Sequence, residues 1–167
     1  MNPIGAIAGW CLSLLLLVAG FALGHTYQPL EVIVEAVSIP MGTSGQLAGR
    51  VFLPARILPP YPVVVLCHGV SSTKEVMTPI ATELARQGMA GFAFDFGGFG
   101  ESYDRPIDDQ ANLVNLADIQ AVVRFIRDRP ERFDSRRLGI VGHSMGGAAA
   151  LLFAEVDADL RQRRYWA

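Results

Sequence analysis

Apolar and polar positions along the chain fall into segments of three kinds. The first, Ile4–Gly24, is apolar throughout and carries no charge. As a helix it would be roughly 31 Å long, enough to cross a bilayer's hydrocarbon core. Residues 1–24 are therefore expected to form a transmembrane anchor or a cleaved export signal, with Ala22 and Gly24 as the small residues before a cut at His25. No Lys or Arg precedes the run, which leaves its orientation poorly specified. Residues 25–30 read as a linker. Alternating Val32 and Val34, then Val37 and Ile39, predict a strand over Glu31–Ile39, and Gln46–Leu53 reads as its hairpin partner across the turn Pro40–Gly45.

The remaining segments alternate between short continuous apolar runs and stretches of helical period. Val63–Cys67, Met89–Phe94 and Arg137–Val141 read as strands buried on both faces. Thr78 as N-cap and Pro79 at the first helical position open a helix that should run to Gln87 and stop at Gly88. Asp108 or Asp109 opens a second helix ending before Pro130, with Leu113, Leu116, Ile119, Val123 and Ile126 on its apolar face. Ala148–Val156 continues as a third. A hairpin followed by strand–helix alternation predicts an α/β fold, a mostly parallel sheet with helices on both faces. Residues 31–156 form that domain, and 157–167 are an atypical charged tail.

Composition narrows the function. The chain has 167 residues and a net charge of −2, from 14 basic and 16 acidic side chains. Its mean hydropathy is +0.32 and its pI is near 5.9. That balance lacks the basic patch a nucleic-acid binder needs. Two cysteines, Cys11 and Cys67, rule out a disulfide scaffold and a cysteine-rich zinc site. No metal or organic cofactor is implied.

One motif carries chemistry. Gly142-His143-Ser144-Met145-Gly146-Gly147 fits G-x-S-x-G, with an apolar strand running in and a helix running out. Such a sharp turn lifts the serine hydroxyl clear at a helix N-terminus. The flanking glycines keep neighbouring backbone out of the way. A serine attacking a carbonyl needs donors for the oxyanion that forms. The backbone N–H groups of Met145 and Val70 are candidates, with Gly69 permitting close approach of the loop. His68 reads as a hydrogen-bonded residue bracing that loop.

These motifs, His68-Gly69, Asp95-x-x-Gly98-x-Gly100-x-Ser102 and Gly142–Gly147, resemble the α/β-hydrolase superfamily in order and spacing. The likeness covers about residues 31–156. It is nearest to the branch of serine aminopeptidases and of lysophospholipase-like and monoacylglycerol-lipase-like esterases. The resemblance implies a serine hydrolase acting on ester or amide bonds of small-molecule or lipid-like substrates through a Ser144 acyl-enzyme. It makes Asp95 a loop brace rather than a catalytic acid. That branch often has Arg where Gly97 stands, which puts the order of this loop in question.

Family triads run Ser, then acid, then His. Here the histidines are His25, His68 and His143, all before Ser144. The family sheet also has more strands than the five read here. The expectation is a C-terminally truncated hydrolase, nearly inactive alone. The alternative is a membrane-tethered, non-catalytic domain that uses the same pocket for binding. A dinucleotide site at Gly98-Phe99-Gly100 and a phosphate loop at Gly69–Lys74 both fail on spacing.

Overall fold

A computed structural model describes residues 3–26, 31–105 and 116–163. Side-chain surroundings are described for 9–20, 31–105 and 116–160. In chain order the elements are α1 (Pro3–Thr26), β1 (Val32–Pro40), β2 (Gln46–Pro54), β3 (Tyr61–Cys67), α2 (Thr78–Arg86), β4 (Ala90–Phe94), α3 (Leu116–Arg127), β5 (Phe133–Gly142), α4 (Met145–Val156) and α5 (Ala158–Arg163). Short 3-10 turns cover Gly42–Ser44 and Lys74–Met77.

Five strands form one sheet in the order β1-β2-β4-β3-β5. The sheet is mixed rather than mostly parallel. β1 and β2 pair antiparallel over the hairpin, and β2 also pairs antiparallel with β4. β3 runs parallel to both β4 and β5. The crossover through α2 leads from β3 to one side of the sheet, and the one through α3 returns to the other. Between β3 and β5 the strand order reverses, the place where open α/β sheets present their ligand crevice at the strands' carboxyl ends.

The two-residue side-chain period of the strands sorts the core into two layers. Val63, Val65 and Cys67 of β3 and Phe92 and Phe94 of β4 face a large cluster that includes Ile119, Val122, Val123 and Ile126 of α3 and Ala149 and Phe153 of α4. Leu66, Ala93 and Phe52 face the opposite way, onto Met77, Ala81 and Ala85 beside and within α2. Helices therefore cover both faces, as the alternation of the sequence requires. The apolar period read for α3 holds over its described residues. The start expected at Asp108 or Asp109, and Leu113, lie outside them.

Several expectations are corrected. The helix at the amino terminus extends through Thr26 and takes in His25 and Thr26, the first two linker positions. The membrane anchor or export signal expected over 1–24 is not supported. Among the described residues no helix is long and apolar enough to cross a membrane. Thr78 is the first residue of α2, not its N-cap, because the turn Lys74–Met77 runs directly into the helix and makes Met77 the cap.

β5 begins at Phe133, four residues early. Pro62 pairs with Asp134, and pairing then jumps to Val63 with Leu138. The excursion between is held by Asp134, which accepts from the Arg136 N–H at 3.0 Å and from Arg137 Nε at 2.8 Å. Nor is β5 buried on both faces. It is the edge of the described sheet, and Val141 is 46% exposed. The charged tail is partly helical. Asp157 accepts from Leu160 N–H at 3.1 Å, starting α5, and takes a two-armed bond from Arg127 at 2.9 Å on each arm.

Phe92 sits at the centre of this packing, fully buried with its ring edge-on to Phe125 and Phe133 at 5.8 and 6.4 Å between centroids. Phe92→Ala should cost about 3–5 kcal/mol of stability, read as a lowered urea midpoint with an unchanged slope.

Candidate active site

The site is built where β3 and β5 end together. Cys67 and Gly142 are partners in the parallel ladder. The loop after β3 and the turn after β5 therefore emerge side by side. The turn is sharp: His143 N–H donates to the Cys67 carbonyl at 3.0 Å, and Gly146 N–H donates to the His143 carbonyl at 2.9 Å. Between them Ser144 is forced to φ +53°, ψ −118°, a left-handed backbone uncommon for a residue with a Cβ. Ser144 holds the N-cap position of α4, yet its hydroxyl makes no cap bond. It is exposed, at the positive end of the helix.

The glycines around it are a packing requirement. A Cβ on Gly142 would lie 2.1 Å from the Gly146 carbonyl oxygen. One on Gly146 would lie 2.3 Å from the Cys67 oxygen and 2.5 Å from that of His68. Backbone approaches backbone here, and a side chain at either position would push α4 off the strand ends. Gly147 has more room, with 3.2 Å to the Gly142 oxygen, and a Cβ on Gly69 would sit 3.0 Å from the His143 ring and 3.4 Å from Ser144 Cβ.

Val70 follows on the facing loop, 47% exposed, and Met145 opens α4, buried. Among the described residues neither backbone N–H donates to a turn, loop or cap acceptor. Gly69, Val70, Ser72, Val76, Met77, Ile80, His143 and Ser144 line a hollow of about 330 Å³. The structure thus brings together the elbow and the β3 loop that the sequence singled out.

His68 is fully buried and both ring nitrogens are committed. Nδ1 lies 2.7 Å from the Gly69 oxygen, and Nε2 is 3.1 Å from the Phe96 N–H. The Phe96 N–H needs an acceptor, so the proton is on Nδ1 and the ring is neutral. Phe96 and Phe99 pack edge-on against it. Burial, with a smaller contribution from Lys74, pulls the His68 pKa below its ordinary value of 6.5, against the opposing pull of the Gly69 bond and Asp95. Neighbouring Cys67 is a buried thiol whose pKa burial pushes up to about 12, so it stays protonated.

Asp95 is a brace. Its carboxylate accepts from the Lys74 N–H at 2.6 Å, Lys74 Nζ at 2.7 Å and the Glu101 N–H at 3.0 Å. Lys74 Nζ also reaches Glu101 at 2.6 Å. Lys74 is only 4% exposed, and the sequence alone does not single it out. The signal was faint: a lysine a few residues past His68-Gly69, with no marker of burial.

The missing arginine at Gly97 does not loosen the loop. Gly97 N–H donates to Asp118 at 2.9 Å, and Tyr103 donates its hydroxyl to the same carboxylate at 3.0 Å. A Cβ on Gly97 would strike the Tyr103 ring at 2.5 Å. Tyr103 occupies the space, and glycine is what fits beneath it.

A mixed sheet wrapped by helices, with a serine on a strained turn at its strand-order reversal, defines the α/β-hydrolase class. The family model Hydrolase_4, serine aminopeptidase S33, matches residues 59–164, and the chain belongs to this family. It is 32% identical over 98 residues, 58% of this chain and 34% of the relative, to an uncharacterized 31.7 kDa protein of the traX-finO intergenic region of Escherichia coli. It is 28% identical over 149 residues to the cutinase est2 of Thermobifida alba, covering 80% of this chain and 46% of that protein. Among solved structures, the hypothetical protein PA2218 from Pseudomonas aeruginosa superposes with a TM-score of 0.67 at 28% identity, over 79% of this chain and 42% of that one. The chain spans between a third and a half of the length of these relatives. The non-catalytic tethered alternative is not favoured, since the family is one of hydrolases.

Two measurements check the geometry. Ser144→Gly removes the Cβ from a left-handed backbone and should stabilise the fold by about 1 kcal/mol relative to Ser144→Ala. A denaturant melt of both variants reads the difference. His68 is held neutral while its unfolded counterpart binds a proton near pH 6.5. The unfolded state then binds more protons as acidity rises, so this contribution is complete above pH 6.5 and is lost as pH falls through the folded value. A stability–pH profile of the wild type should decline below pH 6.5, and His68→Gln should flatten that part of the decline.

Proposed function

We propose that the chain carries the nucleophile and oxyanion half of a serine hydrolase acting on carboxylic esters. Ser144 Oγ attacks the carbonyl carbon, and the Val70 and Met145 N–H groups receive the charge that develops on the carbonyl oxygen. The C–O bond to the leaving alcohol breaks, the alcohol takes up the proton lost from Oγ, and water then hydrolyses the acyl-enzyme. One observation carries the reading: Ser144 is held at φ +53° with its hydroxyl free of capping, beside Val70 and on the wall of an apolar hollow. The cutinase likeness supports an ester rather than an amide as the bond cleaved.

The base is a separate matter. His68 is excluded, because both its nitrogens are bonded and burial keeps it neutral. His143 is the neighbour of the serine on the turn itself. A serine without a partner base is a weak nucleophile at neutral pH. The 167-residue chain therefore reacts slowly, with the residual catalysis that an oxyanion hole and binding supply.

Prolonged exposure of the purified chain to an alkyl fluorophosphonate, followed by peptide mass spectrometry, tests this. The Oγ–P bond forms as fluoride leaves, and the adduct is expected on Ser144 alone and absent from Ser144→Ala. An adduct on another residue, or none on the wild type, would falsify the assignment.

A further inference from the structure

Val70 sits on a short span between two buried anchors. Gly69, Val70, Ser71, Ser72 and Thr73 join His68, which is fully buried, to Lys74, which is almost so. Inside the span Ser71 holds φ +55°, a left-handed backbone that a residue with a Cβ keeps only where its surroundings over-determine it. Val70 and Ser71 are themselves exposed, so the constraint comes from the ends of the span. At one end His68 bonds the Phe96 N–H. At the other, Lys74 meets Asp95 at two points: its N–H donates to one carboxylate oxygen at 2.6 Å and its Nζ to the other at 2.7 Å. Two charge-assisted bonds from one residue to one carboxylate fix direction as well as distance. Glu101 accepts a further N–H of the ammonium at 2.6 Å.

Asp95 is itself immobilised. Its N–H donates to the Ala48 carbonyl at 2.9 Å, and its carbonyl accepts from Ser102 Oγ at 2.6 Å. A Cβ on Gly100 would lie 2.2 Å from the Asp95 carboxylate, so the loop closes directly over that group. As mere adhesive between two loops the pair is a poor device, because well-packed apolar side chains of similar volume often stabilise as much or more. What apolar contact lacks is direction.

We propose that Lys74 is a positioning residue for the oxyanion site: held by Asp95 and Glu101, it fixes the span from His68 so that the Val70 N–H stays aimed where the Met145 N–H is aimed. The inference rests on Ser144 attacking and Val70 donating as proposed above, and adds the group that orients the donor. Lys74 does not line the hollow beside Ser144; it acts through the backbone between.

Paired probes separate orientation from folding. An alkyl fluorophosphonate and its counterpart with P=S in place of P=O react with Ser144 in the same way: the Oγ–P bond forms, fluoride leaves and the Oγ proton passes to water. Only the first presents an oxygen that accepts strong hydrogen bonds from the oxyanion donors, since sulfur is a weak acceptor. Labelling rates are followed by intact mass on the full chain, on Lys74→Met and on Lys74→Met/Asp95→Asn, with a thermal melt of each. The double variant is needed because Lys74→Met alone leaves the Asp95 charge buried and unpaired. In the variants the ratio of oxygen-probe to sulfur-probe rate should fall about tenfold from its wild-type value, short of the hundredfold or more that loss of an oxyanion donor costs. A role in folding alone would slow both probes together and leave the ratio where it was. An unchanged ratio in a variant that melts cooperatively overturns the inference, and so does failure of both variants to fold, which would make Lys74 a residue of the fold. No adduct on wild-type Ser144 from either probe overturns the serine reading, and this inference with it.

Discussion

Backbone must meet backbone where α4 leaves β5, and the rest of the site follows from that contact. The carbonyls of Cys67 and His68 fill the space a side chain on Gly146 would need. With α4 seated so closely on the ends of β3 and β5, the chain has only two residues, His143 and Ser144, in which to turn from strand to helix. The strain at φ +53° is the cost of that reversal, about 1–3 kcal/mol for a residue with a Cβ. The packing of Met145, Ala149 and Phe153 into the larger core holds the helix in place against it. Exposure of the hydroxyl, its place at the helix N-terminus and its nearness to the β3 loop are three consequences of one packing constraint.

The second loop depends on a buried charge network. Lys74 and Asp95 are both withdrawn from water, a costly arrangement for either alone. They are affordable together because each bonds the other and both bond backbone or Glu101. The network ties the segment after Val70 to the loop after β4, and His68 ties the same two loops from beneath through its bond with Phe96. Asp118 of α3 anchors the β4 loop from the other side through Gly97 and Tyr103. The face that carries Val70 is thus fixed by polar groups buried beneath it, while the wall of the hollow above it is apolar.

Much of this was legible in the sequence, for physical reasons that differ by element. Val63–Cys67 and Met89–Phe94 could be read because continuous apolar runs of that length bury only as interior strands. The elbow could be read because glycines on either side of a serine, between strand and helix, have few other uses. The early start of β5 could not. Phe133 joins the ladder buried against Phe92, and the Asp134 carboxylate gathers the Arg136 and Arg137 excursion that follows; nothing local marks that pairing. The exposure of Val141 was equally invisible, because burial of a strand depends on its place in the sheet rather than on its own residues.

By itself the sequence determined which segments are strands and helices, the strand–helix alternation and the serine turn. Each is set by local periodicity or by the steric freedom of glycine, which a linear chain displays. Only the tertiary structure decided the rest. It placed β2 beside β4, so that the sheet is mixed. It put a lysine and an aspartate 21 positions apart into one buried pair, and it packed Tyr103 over Gly97, where the resembling branch often has an arginine. It also brought Val76 and Ile80 onto the wall of the Ser144 hollow. These depend on contacts between residues distant in sequence, and their energies exist only once the sheet has brought the partners within bonding range.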